Sequence, residues 1–218
     1  MGIRESHANL LIVEGQDDKH SVIGLMQHHV NWPDRREEWP VYLEVGNSAS
    51  EILKSAYLTT QMKGANVRAM GIMLDADDTP TGRYGSIRGT FVKMFPSLPL
   101  TMPSAGLVVN NDEERKRLGV WLMPDNSSEG CLETFLRYLV PNNADLVWRH
   151  AVDSVAEALA LGSSCREAHL DKANLYTWLA WQYPPGRQPG IALTQKILDP
   201  ASPYANSFVS WFKELYSL

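Results

Sequence analysis

The chain has 218 residues, of which 44% are hydrophobic and 21% are charged, and its formal net charge is −5. This composition is typical of a globular protein with enough apolar material to bury a core, and it argues against extended disorder. The acidic balance argues against a simple module that grips long nucleic acid through phosphate contacts alone. It leaves a nuclease possible, because bound divalent cations would reverse the field locally.

Cysteine usage and hydropathy predict a cytoplasmic protein. The two cysteines, Cys131 and Cys165, form no C-x-x-C pair, so a disulfide framework and a cysteine zinc site are both disfavoured. No apolar run reaches the length that spans a bilayer, and the first residues lack a signal-peptide pattern. We therefore expect reduced thiols and no membrane association.

The first part of the chain alternates strand and helix signals. An apolar run at 9–13, ended by Glu14-Gly15, predicts a buried strand, and residues 17–29 predict a helix. Residues 41–45 predict a second strand. The next helix begins at Ser48, which has capping-box spacing with Glu51, and runs to about Lys63. Residues 67–74 then predict a third strand.

The signals continue with a helix from Gly82 to Phe95 and two short strands at 106–110 and 119–123. Residues 111–118 would join these strands as a hairpin loop. Acids at 112–114 beside bases at 115–117 predict an exposed loop rather than a nucleic-acid patch. A helix is predicted from Glu129 to Leu139.

After Pro141 the chain shows helix signals and no convincing strand. Strands that alternate with helices favour a parallel sheet with right-handed crossovers. We therefore predict an α/β class, with a mostly parallel sheet flanked by helices in residues 1–140 and a helical C-terminal lobe in residues 141–218 packed on it.

Acidic residues gather at the predicted strand ends. Glu14 ends the first strand, Asp18 lies in the first turn of the next helix, and Asp75 and Asp77 end the third strand. Ligands of open α/β sheets bind beyond the carboxyl ends of the strands. In an extended chain, Asp75 and Asp77 would point to the same side. Crowded carboxylates repel unless a cation neutralises them, and oxygen ligands favour Mg²⁺ or Mn²⁺.

A purely structural interpretation explains some of these acids. An aspartate near a helix start often serves as a cap, and Asp-rich turns commonly follow strands. Glu14 is harder to explain in this way, because an unpaired carboxylate at the end of a buried strand is costly.

Two motifs resemble the Toprim domain of topoisomerases, bacterial primases and overcoming-lysogenization-defect nucleases. The first is Leu-Ile-Val-Glu-Gly followed by Asp18, at 11–18, and the second is Ile-Met-Leu-Asp-x-Asp at 72–77. The resemblance covers about residues 8–125 and implies a Rossmann-like sheet with a magnesium site. The large extra domains of topoisomerases and primases are absent from this sequence, so strand passage is not implied.

The nuclease-type members add further expectations. They often carry a second acid where Asp18 stands, then a Ser/Glu element and a lysine. Residues 121–133 match that element, which implies Glu129 and Glu133 as further metal ligands and Lys172 as the lysine. The chain also resembles compact bacterial Toprim-like proteins, through Pro-x-x-x-x-Glu-Gly-x-Leu-Glu at 124–133 and Lys-Ala…Trp-Leu-Ala at 172–180. Alternatively, Glu129 starts a helix, and Glu133 and Lys172 are surface charges.

Together these features predict a Mg²⁺-dependent (or Mn²⁺-dependent) enzyme that cleaves phosphodiesters in DNA or RNA. The expected catalytic residues are Glu14, Asp75, Asp77 and Lys172; the expected metal ligands are Glu14, Asp18, Asp75, Asp77, Glu129 and Glu133. Arg83 and Arg88 follow the Asp-x-Asp turn and would bind substrate phosphates, although a solvated helix face explains them equally well.

Two alternatives remain open from the sequence. In the first, the chain is a non-catalytic or partner-dependent module that works with an ABC-type ATPase, as the resemblance to bacterial defence pairs implies. In the second, it is a structural α/β protein whose acids have no shared function.

Overall fold

The computed structural model describes residues 3–218 and contains a five-stranded sheet of order β2-β1-β3-β5-β4. The strands are β1 (Asn9–Val13), β2 (Tyr42–Val45), β3 (Ala69–Asp75), β4 (Leu107–Asn111) and β5 (Lys116–Met123). Strands β1, β2, β3 and β5 run parallel, and β4 pairs with β5 as an antiparallel edge. The predicted α/β class with a mostly parallel sheet is confirmed.

Helices cover both faces of this sheet. In chain order they are α1 (Gln16–Met26), α2 (Ala49–Ile52), α3 (Ser55–Met62), α4 (Pro80–Phe91), α5 (Leu132–Arg137), α6 (Asp145–Ala160), α7 (Leu170–Ala180), α8 (Pro189–Thr194) and α9 (Asn206–Tyr216). The described chain after Pro141 contains helices and no strand, as predicted. None of the helices in residues 3–218 is long and apolar enough to cross a bilayer.

The two faces of the sheet bury separate apolar clusters because successive strand residues point to opposite sides. In β1, Leu11 and Val13 face the cluster that includes α1, α5 and α7 to α9. Leu10 and Ile12 face the second cluster, which includes α3 and α4. This burial on both faces explains why the strands read as continuous apolar runs rather than alternating ones.

Helix α9 joins the C-terminal part of the chain directly to the sheet. Trp211 Nε1 donates to the carbonyl of Leu107 at 2.9 Å, and Tyr216 OH donates to the carbonyl of Leu10 at 2.8 Å. The approach is close: a Cβ added at Gly119 in β5 would lie 2.4 Å from Leu215 Cδ2. The buried face of α9 is therefore part of the sheet's own core.

Several predicted boundaries are wrong. The single helix expected from Ser48 to Lys63 is two helices, α2 and α3. Ile52 and Leu58 are both fully buried, yet six residues on one continuous helix would point about 120° apart. The break near Lys54, whose backbone is extended, lets both side chains reach the core. The expected cap is present, because Ser48 Oγ accepts from Glu51 N at 3.3 Å.

Two further elements differ in length. The helix expected from Glu129 begins at Leu132, so Glu129 lies in the preceding loop. The hairpin loop is shorter than expected, since β5 begins at Lys116 and includes Arg117. Backbone pairing of Lys116 with Asn111 extends the ladder into a charged segment that has no strand pattern of its own.

Candidate metal and phosphodiester site

The carboxyl edge of the sheet brings the first two predicted acids together. Strands β1 and β3 are adjacent and parallel, so Glu14, directly after β1, lies beside Asp75 at the end of β3. Asp75 N donates to Glu14 Oε1 at 2.9 Å, and Ala49 N donates to Glu14 Oε2 at 3.2 Å. Burial raises the pKa of Glu14, and these amides and nearby Arg83 oppose the rise. The predicted adjacency of the two strand ends is confirmed.

Asp18 is buried at the start of α1, and its two carboxylate oxygens differ in their hydrogen bonding. Its Oδ2 accepts from Gly15 N at 3.0 Å. Its Oδ1 is buried and has no hydrogen-bond partner within residues 3–218. Burial, and then repulsion from Glu14, raise the pKa of Asp18 to about 7. An unpartnered carboxylate oxygen of this kind is costly unless a proton or a cation reaches it.

Asp75 connects the strand ends to α5. Its Oδ1 accepts from Leu132 N, at the start of α5, at 2.8 Å. Burial, and then repulsion from Asp18, Glu14 and Glu133, raise the pKa of Asp75 to about 8. At least four carboxyl groups therefore act on one another at this edge.

Helix α5 supplies Glu133, and α7 supplies Lys172. Glu133 is 8% exposed and lies with its Oε1 3.4 Å from Lys172 Nζ. Lys172 Nζ also lies 3.2 Å from Asp17 Oδ2, which accepts from Tyr176 OH at 3.1 Å. Lys172 thus connects an acid on α1 with an acid on α5 at one side of the site.

These residues surround a cavity of about 510 Å³, which we call the acidic cavity. Its lining includes Glu14, Asp17, Asp18, Asn47, Asp75, Asp77, Cys131, Glu133, His169 and Lys172. Six of the residues predicted from the sequence therefore line one cavity.

Asp77 lines the acidic cavity but does not have the extended backbone assumed for it. Its φ is 50°, in the left-handed region, and its backbone exchanges two hydrogen bonds with Gly130. Its carboxylate is about half exposed and forms an ion pair with Arg83. The extended backbone assumed for residues 75–77 is therefore wrong, since the bridge to Gly130 turns the chain at Asp77, although both Asp75 and Asp77 line the acidic cavity.

Three predicted residues, Glu129, Arg83 and Arg88, are not among those that line the acidic cavity. Glu129 is exposed and lines a neighbouring cavity of about 650 Å³ with Asp78 and Asp171. Arg88 lies on α4, where its Nε donates to the carbonyl of Pro99 at 3.0 Å. Of the two arginines predicted to bind phosphate, only Arg83 contacts a residue of the acidic cavity.

Sequence reasoning did not select Asp17, Cys131 or Tyr176. Cys131 Sγ donates to Glu133 Oε2 at 3.2 Å, and burial raises the pKa of this thiol to about 12. Tyr176 follows Lys172 by one helical turn, a spacing that could have suggested a shared surface. Asp17 gave no separate signal, because it reads as an ordinary acid in the first turn of a helix.

The types of side chain at this edge suit a metal ion, but their placement in the structure does not form a metal site. Carboxylate oxygens, the buried Oδ1 of Asp18 and the raised pKa values of Asp18 and Asp75 suit a hard divalent cation. However, within residues 3–218 no group of three or more His, Cys, Asp or Glu side chains is placed to hold one. Glu14 and Asp75 are instead turned towards backbone amides. The residue types therefore fit a cation, and their side chains would have to rotate to bind it.

Comparison with known proteins gives the family of the chain and no activity. No curated protein and no solved structure matches it significantly. A family model described as "Protein of unknown function (DUF3226)" matches residues 8–217. This match spans nearly the whole sequence, and the chain therefore belongs to the DUF3226 family.

Proposed function

We propose that the protein is a divalent-cation-dependent phosphodiesterase that acts on DNA or RNA, with its site in the acidic cavity. One observation carries this proposal: Glu14 and Asp75 end adjacent parallel strands and share a hydrogen bond, with Asp18 and Glu133 close enough to raise the pKa of Asp75. Several carboxyl groups at one edge are costly for the fold alone and useful to a metal site. The Toprim resemblance of the two strand-end motifs supports the same assignment.

Glu14, Asp18 and Asp75 would hold Mg²⁺ or Mn²⁺, with Asp77 and Glu133 as further ligands. When bound, such an ion supplies Lewis-acid polarisation of a phosphoryl oxygen. Asp18 contributes an oxygen that has no other partner in the described chain. Glu14 follows β1 and Asp75 ends β3, so the pairing of these strands sets the positions of their backbones.

Lys172 and Arg83 would bind the phosphate on either side of the acids. Burial lowers the pKa of Lys172, but the charges of Glu133 and Asp17 outweigh it and the pKa is raised. Lys172 therefore stays protonated and can offset negative charge that develops on a phosphate. Arg83 offers a planar guanidinium, and its Nε is buried without a hydrogen-bond partner in the described residues.

A second candidate is a site that works only beside a partner, for which we propose an ABC-type ATPase. The observation that favours it is internal neutralisation: Arg83 is paired with Asp77, and Lys172 with Asp17 and Glu133. A partner that binds the Arg83 and Lys172 side chains in place of these acids would leave the carboxylates free to bind a metal. In either case we propose a cytoplasmic setting, because both cysteines are free thiols.

The test is cleavage of end-labelled single-stranded DNA and RNA by the full chain in Mg²⁺ or Mn²⁺. We expect cleavage by the wild type and a loss of about a hundredfold or more in Asp75→Asn and Glu14→Gln, since a metal contributes several kcal/mol to such a step. The matched control is Asp153→Asn, which removes one exposed carboxylate on α6. It should cleave like the wild type.

Calorimetric titration with Mn²⁺ makes a negative result informative. Binding that is lost in Asp75→Asn, without cleavage, would favour the partner-dependent site, and cleavage that appears only with an added ABC-type ATPase would establish it. If the wild type neither cleaves nor binds Mn²⁺, whether alone or with the added ATPase, both versions of the proposal are overturned.

A further inference from the structure

A cationic cavity lies at the edge of the sheet opposite to the acidic cavity. It has a volume of about 370 Å³ and is lined by Arg68, Arg115, Lys116 and Arg117, together with one carboxylate, that of Asp112. Arg68 directly precedes β3, and Lys116 and Arg117 begin β5. These positions are the amino ends of two parallel strands, and the opposite end of β3, at Asp75, lines the acidic cavity. We call this second feature the basic cavity.

Two of the four cations are held in place by neutral groups. Lys116 Nζ donates to the carbonyl of Met62, the last residue of α3, and to the carbonyl of Val67 at 3.3 Å. Arg117 Nη1 donates to the carbonyls of Glu214 and Leu215, near the end of α9, at 2.8 and 2.9 Å. Both side chains therefore donate hydrogen bonds to carbonyls at the C-terminal ends of helices, α3 for Lys116 and α9 for Arg117. Their position is fixed by the fold, and the groups that fix it are carbonyls rather than carboxylates.

Arg68 and Arg115 are exposed at the same cavity. Among the ion pairs found in residues 3–218, none involves either of them, Lys116 or Arg117. Burial lowers the pKa of Lys116, the Glu114 carboxylate raises it, and the charge of Arg68 lowers it by a smaller amount.

The local charge balance favours an anion. Each helix C-terminus carries about half a negative charge, so the ends of α3 and α9 together offset about one of the four positive charges. Asp112 offsets another, and Glu114, which raises the pKa of Lys116, offsets part of a third. Between about one and two positive charges remain, which a phosphate monoester, with its charge of about −1.5 to −2 at neutral pH, can balance.

We propose that the basic cavity binds a phosphate group, with Arg68 and Arg115 as its direct donors. Lys116 and Arg117 supply a fixed positive field behind them. Arginine suits this role because its planar guanidinium can present two parallel N–H donors to phosphate oxygens. The phosphate belongs either to a small phosphorylated molecule or to a nucleic-acid strand.

This site is separate from the acidic cavity. Strand β3 has seven residues, and at about 3.3 Å per residue its first and last Cα atoms lie roughly 20 Å apart. The basic cavity therefore does not depend on the proposed phosphodiesterase activity, and binding can be measured in EDTA, where a metal at the acidic cavity cannot contribute.

The experiment is a calorimetric titration of the full chain with inorganic phosphate and with adenosine 5′-monophosphate, in a chloride buffer that contains EDTA. A parallel titration uses a short single-stranded DNA and follows its fluorescence anisotropy. We expect saturable binding that weakens at least about tenfold in the double variant Arg68→Gln/Arg115→Gln, because two charge-assisted contacts are lost.

The matched control is Arg35→Gln/Arg149→Gln, which removes the same charge from arginines whose side chains are 75% and 71% exposed. It should bind within about twofold of the wild type, since screened surface charges contribute little. Circular dichroism checks that both double variants are folded.

The choice of titrant separates the two sources of phosphate. Binding of inorganic phosphate or the mononucleotide alone, lost in the Arg68/Arg115 variant, identifies a small phosphorylated ligand. Binding of the DNA with the same dependence identifies a nucleic-acid phosphate. The proposal is overturned if none of the three probes saturates, or if the control variant weakens binding as much as the Arg68/Arg115 variant does.

Discussion

At the carboxyl edge of the sheet, a neighbouring carboxylate raises the pKa of each of Glu14, Asp18 and Asp75: Asp77 acts on Glu14, Glu14 acts on Asp18, and both Asp18 and Glu14 act on Asp75. Burial is the larger cause for each, because it removes the water that stabilises a carboxylate. The pKa of Asp18 reaches about 7 and that of Asp75 about 8. Near neutral pH these side chains therefore hold protons unless a cation replaces them. Metal binding and proton release should accordingly be linked at this site.

This arrangement predicts that the metal-free protein is more stable in mild acid than in mild base. The pKa of Asp75 is higher in the folded chain than in the unfolded chain, so the folded state binds more protons between the two values. Its contribution to stability is complete below about pH 4 and is lost as the pH rises through about 8. In EDTA, we expect the free energy of unfolding to be lower at pH 9 than at pH 5 by about 1 kcal/mol or more.

Urea titrations at pH 5, 7 and 9 measure this dependence, and Asp75→Asn tests its origin. The asparagine keeps an oxygen that can accept from Leu132 N but does not ionise, so the slope with pH should flatten. Asp153→Asn, on the exposed side of α6, should keep the wild-type slope. An Asp75→Asn slope equal to that of the wild type would show that the acid cluster does not set the pH dependence.

The sequence allows some of these contacts to be predicted and not others. The proximity of Glu14 and Asp75 could be predicted, because neighbouring parallel strands have their carboxyl ends at the same edge of the sheet. The left-handed turn at Asp77 does not, since it depends on pairing with Gly130, 53 residues later in the numbering. Lys172 was suggested only by the family resemblance, and its contact with Asp17 depends on how α7 packs.

At the scale of elements, the parallel direction of the strands was more predictable than the helix boundaries. Alternating apolar runs and helices are enough to favour a parallel sheet. The division between α2 and α3 depends on which side chains reach the core, and Ile52 and Leu58 show this only in three dimensions. The start of β5 at Lys116 was missed because its polar residues pair through the backbone, which sequence periodicity does not detect.

Close packing of α1 against α8 gives a second prediction. A Cβ added at Gly24 would lie 2.3 Å from the carbonyl oxygen of Gly190, and one added at Gly190 would lie 2.5 Å from that of His20. Backbone atoms cannot move aside as flexible side chains do. We expect Gly24→Ala and Gly190→Ala each to lower the free energy of unfolding by about 1–3 kcal/mol, the usual cost of overpacking.

Gly89 provides the control for this packing argument. It lies on α4, where an added Cβ would meet nothing within 4 Å. Gly89→Ala should therefore raise stability by about 0.5–1 kcal/mol, through helix propensity alone. Chemical denaturation of the three variants measures the difference. Equal stability changes at Gly24 and Gly89 would mean that α1 and α8 can separate without cost.

For the whole molecule, the net charge of −5 hides a strong separation of charge. Acids gather at the carboxyl ends of the parallel strands and bases at the amino ends. The sequence predicted an exposed loop of mixed sign at 112–117. In the structure, Lys116 and Arg117 belong to β5 and face a cavity that Arg68 joins from another strand end. The sequence did not indicate this basic cavity, because Arg68 is far along the chain from residues 115–117.

The same long-range packing makes the C-terminal helices part of the sheet's core, rather than an appendage to residues 1–140. Trp121 of β5 packs against Phe208 and Trp211 of α9, with ring centroids 5.2 and 5.6 Å apart. Both segments contribute to one continuous apolar cluster. A fragment that ends at residue 140 would expose Trp121 and the sheet surface that α9 covers. Such a loss of burial exceeds the small net stability of a typical domain.

We therefore expect the full chain to unfold in a single transition, with tryptophan fluorescence and far-ultraviolet circular dichroism giving the same urea midpoint. The fragment 1–140 should lack a sharp transition, because α9 and its neighbours no longer cover one face of the sheet. Adding the fragment 141–218 should restore part of it if the shared core is what the two pieces lack. Two separated transitions in the full chain, or a fragment 1–140 that unfolds sharply on its own, would instead show that the sheet and the C-terminal helices fold independently, with α9 contributing little to the sheet's stability.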